Sequence, residues 1–318
     1  MTTAVADPKP TAVGPVPSDP LLKEREKEQA AAWLAALPVS VRRERREGWS
    51  GERLVMYRMS ASSPEFWEKT WIVSPPFRMR GYKLPAWYAT IFHKWLPRDG
   101  LIVEAGCGNG NLLRMCANEG YTMEGLDFAA AAIEQNRKTD PAGRYVVGDV
   151  RALPYGDGEI AGYLSMGVVE HFSEEDRRVI LRDAARALRP GGVAVITVPS
   201  YSAARRIGAM AGGFGRKGSK LKAQSSNEHG EPEQSLEFYQ FFFTLSEIRR
   251  DIEEAGLRVV GIDGYDCRKG WIDTFGCGRA LSWLERRGRW LARLIDQPPR
   301  PVRRFCPHML MLICRKEL

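Results

Sequence analysis

The chain has no apolar run approaching the eighteen or more residues a bilayer-spanning helix needs. Histidine is scarce, with four in 318 residues, and no C-x-x-C pair or zinc-finger spacing occurs. The six cysteines (Cys107, Cys116, Cys267, Cys277, Cys306, Cys314) therefore read as reduced thiols, and no metal site is expected. Met1 to Pro20 lacks the charged-then-apolar pattern of a secretory signal. It reads as a disordered leader, residues 1–20, and a cytoplasmic location is expected. Negative charge is in deficit: 47 Lys and Arg stand against 39 Asp and Glu, a net charge of +8. From Gly270 to Leu318 the ratio is ten to four. Such a surface suits nucleic acid, an anionic membrane or an acidic substrate, and equally a solvated face with no partner.

What is present is globular. At 44% hydrophobic residues, the chain can bury one large core or two modest ones. Residues 21–98 form an N-terminal helical and aromatic cap, with a helix expected over Leu21 to Leu37. A basic stretch follows (Arg42, Arg43, Arg45, Arg46), then an aromatic segment from Phe66 to Trp95. Residues 99–318 form the main domain, with insertions expected at about 201–243 and 267–304. Between Gly100 and Ser200, short apolar runs alternate with helical segments: 101–105, 122–126, 144–147, 161–165 and 193–198 are strand candidates. That alternation predicts an α/β domain whose mostly parallel sheet is flanked by helices, with ligands at the carboxyl ends of the strands. Ser173 with Asp176 predicts a helix N-cap, and Thr244 with Glu247 a capping box. Arg189-Pro190-Gly191-Gly192 predicts a tight turn. Leu257 to Ile262 and His308 to Cys314 predict two final strands, with a basic amphipathic helix over Arg279 to Ile295 between them.

The chemistry concentrates in Glu104-Ala105-Gly106-Cys107-Gly108-Asn109-Gly110, directly after the first strand candidate. Glycines there let the backbone turn sharply and approach a ligand. A dinucleotide fingerprint from Gly106 needs Gly or Ala at position 111, where Asn111 stands, and no Gly-Lys-Ser/Thr ending makes a P-loop. A carboxylate at Glu104 repels a pyrophosphate but receives an ammonium, so the turn favours an amino-acid nucleoside over a phosphate. Asp127 ends the second strand, where a carboxylate accepts from ribose hydroxyls. Asp149 ends the third, placed for an adenine amino group, with Phe128 and Val150 to sandwich the ring. Each acid alone is more often a turn or capping residue; three in step at successive strand ends are not.

In these features the chain resembles the class I methyltransferases, particularly the type 11 group that includes ubiquinone- and menaquinone-methylating enzymes. The resemblance covers about Leu101 to Ser200. It rests on Val-Glu-Ala-Gly-Cys-Gly-Asn-Gly (103–110), Gly-Leu-Asp (125–127), Gly-Asp-Val (148–150), Leu-Pro-Tyr (153–155), Gly-Val-Val-Glu-His-Phe (167–172) and Leu-Arg-Pro-Gly-Gly (188–192). It implies a Rossmann-like seven-stranded fold and S-adenosylmethionine as cofactor. It also implies Glu104 and Gly106 near the methionine moiety, Asp127 at the ribose, Asp149 and Val150 at the adenine, and Met166 and Gly167 lining the methionine through their backbone; Ala105, Gly108, Gly110 and Phe128 complete the expected cofactor site. One departure stands at the fourth strand, which begins Ile160-Ala161 where the family often has Phe-Asp.

The acceptor is far less constrained. The sulfonium methyl is already activated, so alignment and exclusion of water are the protein's main tasks, and a base is needed only for a protonated nucleophile. His171 is the candidate base, with a packing or capping role as its alternative, and Glu170 is weaker. A small-molecule or lipid-like acceptor is expected first, on an aromatic cap (Trp67, Trp71, Phe77, Tyr82, Trp87) and Phe238 to Phe243. RNA or protein methylation on the basic surface is the alternative, and a non-catalytic scaffold the third. The 279–295 helix is a candidate for peripheral membrane contact, or for packing on the domain.

Overall fold

The computed structural model describes residues 39–45, 52–58, 64–73, 83–210, 237–288, 291, 294–295 and 298–317. The expected leader, the 21–37 helix, Phe77, Tyr82 and the middle of the first insertion lie outside these residues.

Two strands come first, β1 (Val39–Arg45) and β2 (Glu52–Arg58), then helices α1 (Pro64–Val73) and α2 (Ala86–Trp95). The alternating region follows as β3 (Ile102–Ala105), α3 (Asn111–Asn118), β4 (Met123–Asp127), α4 (Ala130–Thr139), β5 (Arg144–Val147) and β6 (Ile160–Met166). A 3-10 turn, Val169–His171, leads to α5 (Glu174–Ala187), β7 (Leu188–Pro199) and α6 (Ala203–Met210). The last part holds β8 (Glu237–Phe242), α7 (Leu245–Glu254), β9 (Leu257–Tyr265), α8 (Cys267–Phe275), α9 (Gly278–Glu285), α10 (Arg300–Phe305) and β10 (Met309–Lys316).

The main sheet has seven strands in the order β5-β4-β3-β6-β7-β10-β9. Its first five are parallel, and β10 runs antiparallel to both neighbours. The chain steps from β3 outward to β5, then returns to lay β6 on the other side of β3. The strand order therefore reverses between β3 and β6, and a crevice opens there at the carboxyl ends. This is the mostly parallel, Rossmann-like sheet expected from the sequence.

Burial on both faces explains the unbroken apolar strands. Successive side chains point to opposite faces. Val103 and Tyr163 join a core with Ile180 and Leu181 of α5 and Ile248 and Ile252 of α7. Their neighbours Ile102 and Leu164 join the opposite core with Phe92 of α2, Leu113 of α3 and Ile133 of α4. Both expected caps form: the Ser173 and Thr244 hydroxyls accept from the amides of Asp176 and Glu247, at 3.1 and 3.3 Å.

Three features differ from the sequence reading. The Arg189-Pro190-Gly191-Gly192 turn is an irregular passage inside β7: Ile160 pairs with Leu188 and Gly162 with Val193, so the four residues stand opposite Ala161. Gly191, at φ 75°, makes the bend. The expected helix over Arg279 to Ile295 is interrupted: helix is found again at Leu291, Leu294 and Ile295, but turn residues at Arg286 and Arg287 follow the end of α9 at Glu285. Helix α9 buries no residue, and Trp283 is 48% exposed. Finally, β1, β2 and β8 form a separate antiparallel sheet that the sequence reading did not contain. Its β8 end is tied to the end of β7 by Phe243 N to Pro199 O (2.8 Å) and Tyr201 N to Phe243 O (2.7 Å). The small sheet thus stands beside the carboxyl edge of the main one.

Candidate cofactor and acceptor site

From β3 the chain turns through Gly106 to Gly110 into α3. Gly106 and Gly108 have φ of 77° and 49°. A Cβ on Gly106 would lie 2.5 Å from Val168 Cγ2, and one on Gly108 2.5 Å from the Trp71 indole. Conformation and space both require glycine. The turn is braced from within: Gly106 N and Cys107 N donate to Leu126 O at 2.7 and 3.0 Å, and Gly110 N to Cys107 O at 2.8 Å. Gly108 N donates to Asp127 Oδ2 at 2.8 Å. These four amides are therefore spent inside the protein rather than aimed at a phosphate. Asn136 Nδ2 donates to Gly108 O (2.7 Å), while Arg114 donates to Asn109 O (2.7 Å) and Asn136 Oδ1 (3.0 Å). Arg114 and Asn136 escaped the sequence reading. Their signal was weak: polar residues on the inward faces of α3 and α4.

The three strand-end acids differ in their surroundings. Glu104 is buried, and its Oε2 has no hydrogen-bond partner among the described residues. Burial above all pushes its acid constant up to about 8; Asp127 adds to this, while the Leu113 amide and Arg114 oppose it. Asp127 is also buried, which raises its acid constant against the pull of backbone amides. Its Oδ1 accepts from Ala129 N at 2.9 Å, its Oδ2 from Gly108. Asp149 is half exposed and bound to Arg151 at 2.7 Å, which holds its carboxyl below the usual range. Val150 is buried beside it, Phe128 half-buried after Asp127, and Ala105 packs in the core. Met166 ends β6, and Gly167 follows at φ 78°. All eleven predicted cofactor residues thus fall along the carboxyl edge of β3, β4, β5 and β6.

Aromatic side chains stand over the same edge. Trp67 and Trp71 of α1 stack at 6.0 Å, and Trp67 stacks on Tyr239 at 6.3 Å. His171 meets the edges of Trp67 (4.7 Å) and Tyr239 (4.8 Å), with its Nδ1 at 2.9 Å from Tyr239 O. A carbonyl only accepts, so Nδ1 is the donor in that contact. Trp87 packs instead on Tyr88 and Tyr265. Phe241 and Phe243 flank Arg177, whose Nε is 2.9 Å from Asp251 in a fully buried pair. They are core residues rather than pocket walls.

A reversing parallel sheet, a glycine turn with its amides spent, and carboxylates at successive strand ends define a nucleoside-binding α/β domain for an amino-acid ligand. Residues 102–192 match the family described as methyltransferase domain. The segment is a class I S-adenosylmethionine-dependent methyltransferase domain, with S-adenosylmethionine as its cofactor. The residues fit that group: Glu104 offers an unpartnered buried oxygen for an ammonium, and the Gly106–Gly108 cradle has no room for a Cβ.

A tRNA (carboxymethyluridine(34)-5-O)-methyltransferase of Mus musculus is 35% identical over 108 residues, covering 34% of this chain and 16% of that protein. A Saccharomyces cerevisiae protein of the same name is 33% identical over 125 residues, covering 39% and 44%. The malonyl-[acyl-carrier protein] O-methyltransferase of Serratia marcescens is 29% identical over 107 residues, covering 34% and 41%. The chain spans less than half the length of each of these relatives.

Proposed function

We propose that the chain methylates an oxygen of a carboxylate-bearing nucleoside in RNA. The observation that carries this is the likeness of its cofactor segment to proteins named for methylating carboxymethyluridine in tRNA, in mouse and in yeast. The net charge of +8 supports it, as do six arginines (Arg279, Arg286, Arg287, Arg300, Arg303, Arg304) on α9, α10 and the turn after α9, two helices that bury no residue. The small lipid-like acceptor expected first from the sequence loses part of its support, because Phe241 and Phe243 pack around Arg177 and not around an opening.

When bound, S-adenosylmethionine supplies a methyl group already activated on sulfonium. The chain's own work is to position it. Glu104 receives the ammonium, Asp127 the ribose hydroxyls, Asp149 and Val150 the adenine, and Met166 with Gly167 faces the methionine side. A carboxylate acceptor carries no proton to remove, so His171 need not act as a base. Held on Tyr239 O, it shapes the aromatic wall.

A second reading keeps the chemistry and changes the carrier, because the Serratia relative is named for a malonyl group borne on a protein. One experiment separates them. The full chain is incubated with methyl-labelled S-adenosylmethionine and tRNA bearing 5-carboxymethyluridine, or with malonyl-acyl carrier protein. Label in RNA that mild alkali releases, as a methyl ester must, is the expected result. Alkali-stable label, or label on the carrier protein alone, would overturn the RNA reading.

A further inference from the structure

Glu104 is not the only buried acid at the reversal point. The carboxyl of Glu170, on the 3-10 turn after β6, is 2% exposed, and its Oε2 has no hydrogen-bond partner among the described residues. Thr197 on β7, also buried, has its hydroxyl against Tyr265. Glu170 Oε1 lies 3.4 Å from where a Cβ on Gly167 would stand, with Met309 Cε 3.9 Å from the same point. Because position 167 is glycine, it puts no side chain of its own between the carboxyl and the end of β6. Among the described residues, no opposite charge offsets its burial. Tyr265 at the end of β9 feels its field, with Tyr88 and Asp266 beyond. From its own turn His171 is committed to Tyr239 O of β8, and Arg177 of α5 to Asp251. Burial pushes the Glu170 acid constant up to about 8, opposed only by its own backbone amide.

A buried carboxyl in this state is a proton donor at neutral pH with nothing to donate to. We propose that the Glu170 carboxyl donates a hydrogen bond to the anionic oxygen of the acceptor. This rests on the reading of the acceptor as a carboxylate. The acceptor oxygen supplies the electron pair of the new C–O bond, the old C–S pair stays with sulfur, and no proton moves. Glu170 therefore keeps its own proton throughout, and a dry site favours a reaction in which opposite charges cancel. Ionised, Glu170 would repel the acceptor. The residue thus selects an anionic acceptor over an amine, for which it would have to serve as base.

Two measurements test this on the full chain, wild type and Glu170→Gln. The first is the pH profile of methyl transfer to tRNA bearing 5-carboxymethyluridine. In wild type the rate falls above pH 8, approaching tenfold per pH unit as the donor ionises. Glu170→Gln, which keeps a weaker donor, raises the acceptor KM about five- to tenfold at pH 7 and abolishes the alkaline fall. A wild-type rate that rises through pH 8, with loss of about a hundredfold or more in the variant, would make Glu170 a base and overturn the proposal.

The second measurement needs no RNA: calorimetric binding of malonate to protein loaded with S-adenosylhomocysteine. Malonate affinity weakens about tenfold from pH 7 to pH 9 in wild type and stays flat in the variant. Binding independent of pH overturns the proposal. So does a tenfold or greater loss of S-adenosylhomocysteine affinity in Glu170→Gln, which would place the residue in the cofactor site. Proton-linked malonate binding without methylation of RNA would remove the RNA reading and leave Glu170 standing.

Discussion

Glu104, near the end of β3, and Glu170, on the turn after β6, stand at the two strands that flank the reversal of the sheet. Each is buried, each has one unpartnered oxygen, and each is pushed up to about 8. Their surroundings were built differently. The turn after Glu104 is braced by Leu126, Asp127, Asn136 and Arg114, all within some thirty residues of one another. The turn that holds Glu170 is walled by Trp67, Thr197, Tyr239, Tyr265 and Met309, brought from both ends of the chain. A site made of neighbours leaves a motif in the sequence. A site made of distant residues leaves only unexplained side chains.

The largest effect expected falls on the acceptor side. Arg177 and Asp251 tie α5 to α7 in a pair 2.9 Å apart, both fully buried, with Phe241 and Phe243 on the guanidinium. Arg177→Ala strands the Asp251 carboxylate and costs about 3–5 kcal/mol of stability by urea unfolding. Replacing both partners with apolar residues of similar volume restores most of it. Cofactor affinity of the folded fraction stays as in wild type, because the pair ties α5 to α7 and not the strand ends expected to hold the cofactor. A joint loss of stability and affinity would erase the distinction between the two sides.

Next comes Asp127→Ala, which belongs to the other side. It frees the Gly108 and Ala129 amides together and removes the expected ribose partner. With charge-assisted bonds contributing about 1.5–3 kcal/mol each, S-adenosylmethionine affinity drops at least about a hundredfold by calorimetry. Unchanged affinity would remove Asp127 from the site.

The two carboxyls are then separated by proton count. Glu104 is mostly protonated at pH 7 and must ionise to pair with an ammonium, so cofactor binding releases a proton. Its acid constant is raised in the free protein and falls in the complex, so affinity tightens as pH rises from 6 to 7.5, by up to about tenfold per unit. Calorimetry at pH 7 in buffers of different ionisation enthalpy counts the proton. Glu104→Gln abolishes the release, whereas Glu170→Gln leaves it intact. Release that survives in Glu104→Gln would assign the titration elsewhere.

How much the sequence disclosed follows the same division. The order of β3 to β7, both helix caps, the glycine turn and the strand-end acids were legible, because each depends on residues close in the chain. The β1-β2-β8 sheet was not, since its third strand lies some 180 residues from the second and pairs across the whole domain. Trp71 against Gly108 was not either: an aromatic in a cap shows no periodicity that reveals which loop it covers. Nor was the passage of β7 through Arg189 to Gly192, because Pro and Gly signal a turn whether the chain leaves the sheet or merely bulges within it. Glu170 was in view only as a weaker candidate base than His171. Its burial, which gives it chemistry, comes from strands the local pattern does not contain.

The smallest effect expected tests where the cofactor side ends. Asp149 was read as the adenine partner, yet its carboxylate is bound by Arg151, the side chains being 42% and 46% exposed. Exposed pairs contribute about 0.2–1 kcal/mol, so Arg151→Ala barely alters stability. Without the guanidinium the Asp149 acid constant returns toward the ordinary carboxylate range and the group stays ionised at pH 7. Freed, it accepts more readily from an amino group, and S-adenosylmethionine affinity tightens by no more than about threefold. A loss of about tenfold would instead mean that Arg151 itself meets the ligand. The pair would then act as one polar clamp at the end of β5, and the adenine contact would belong to both residues.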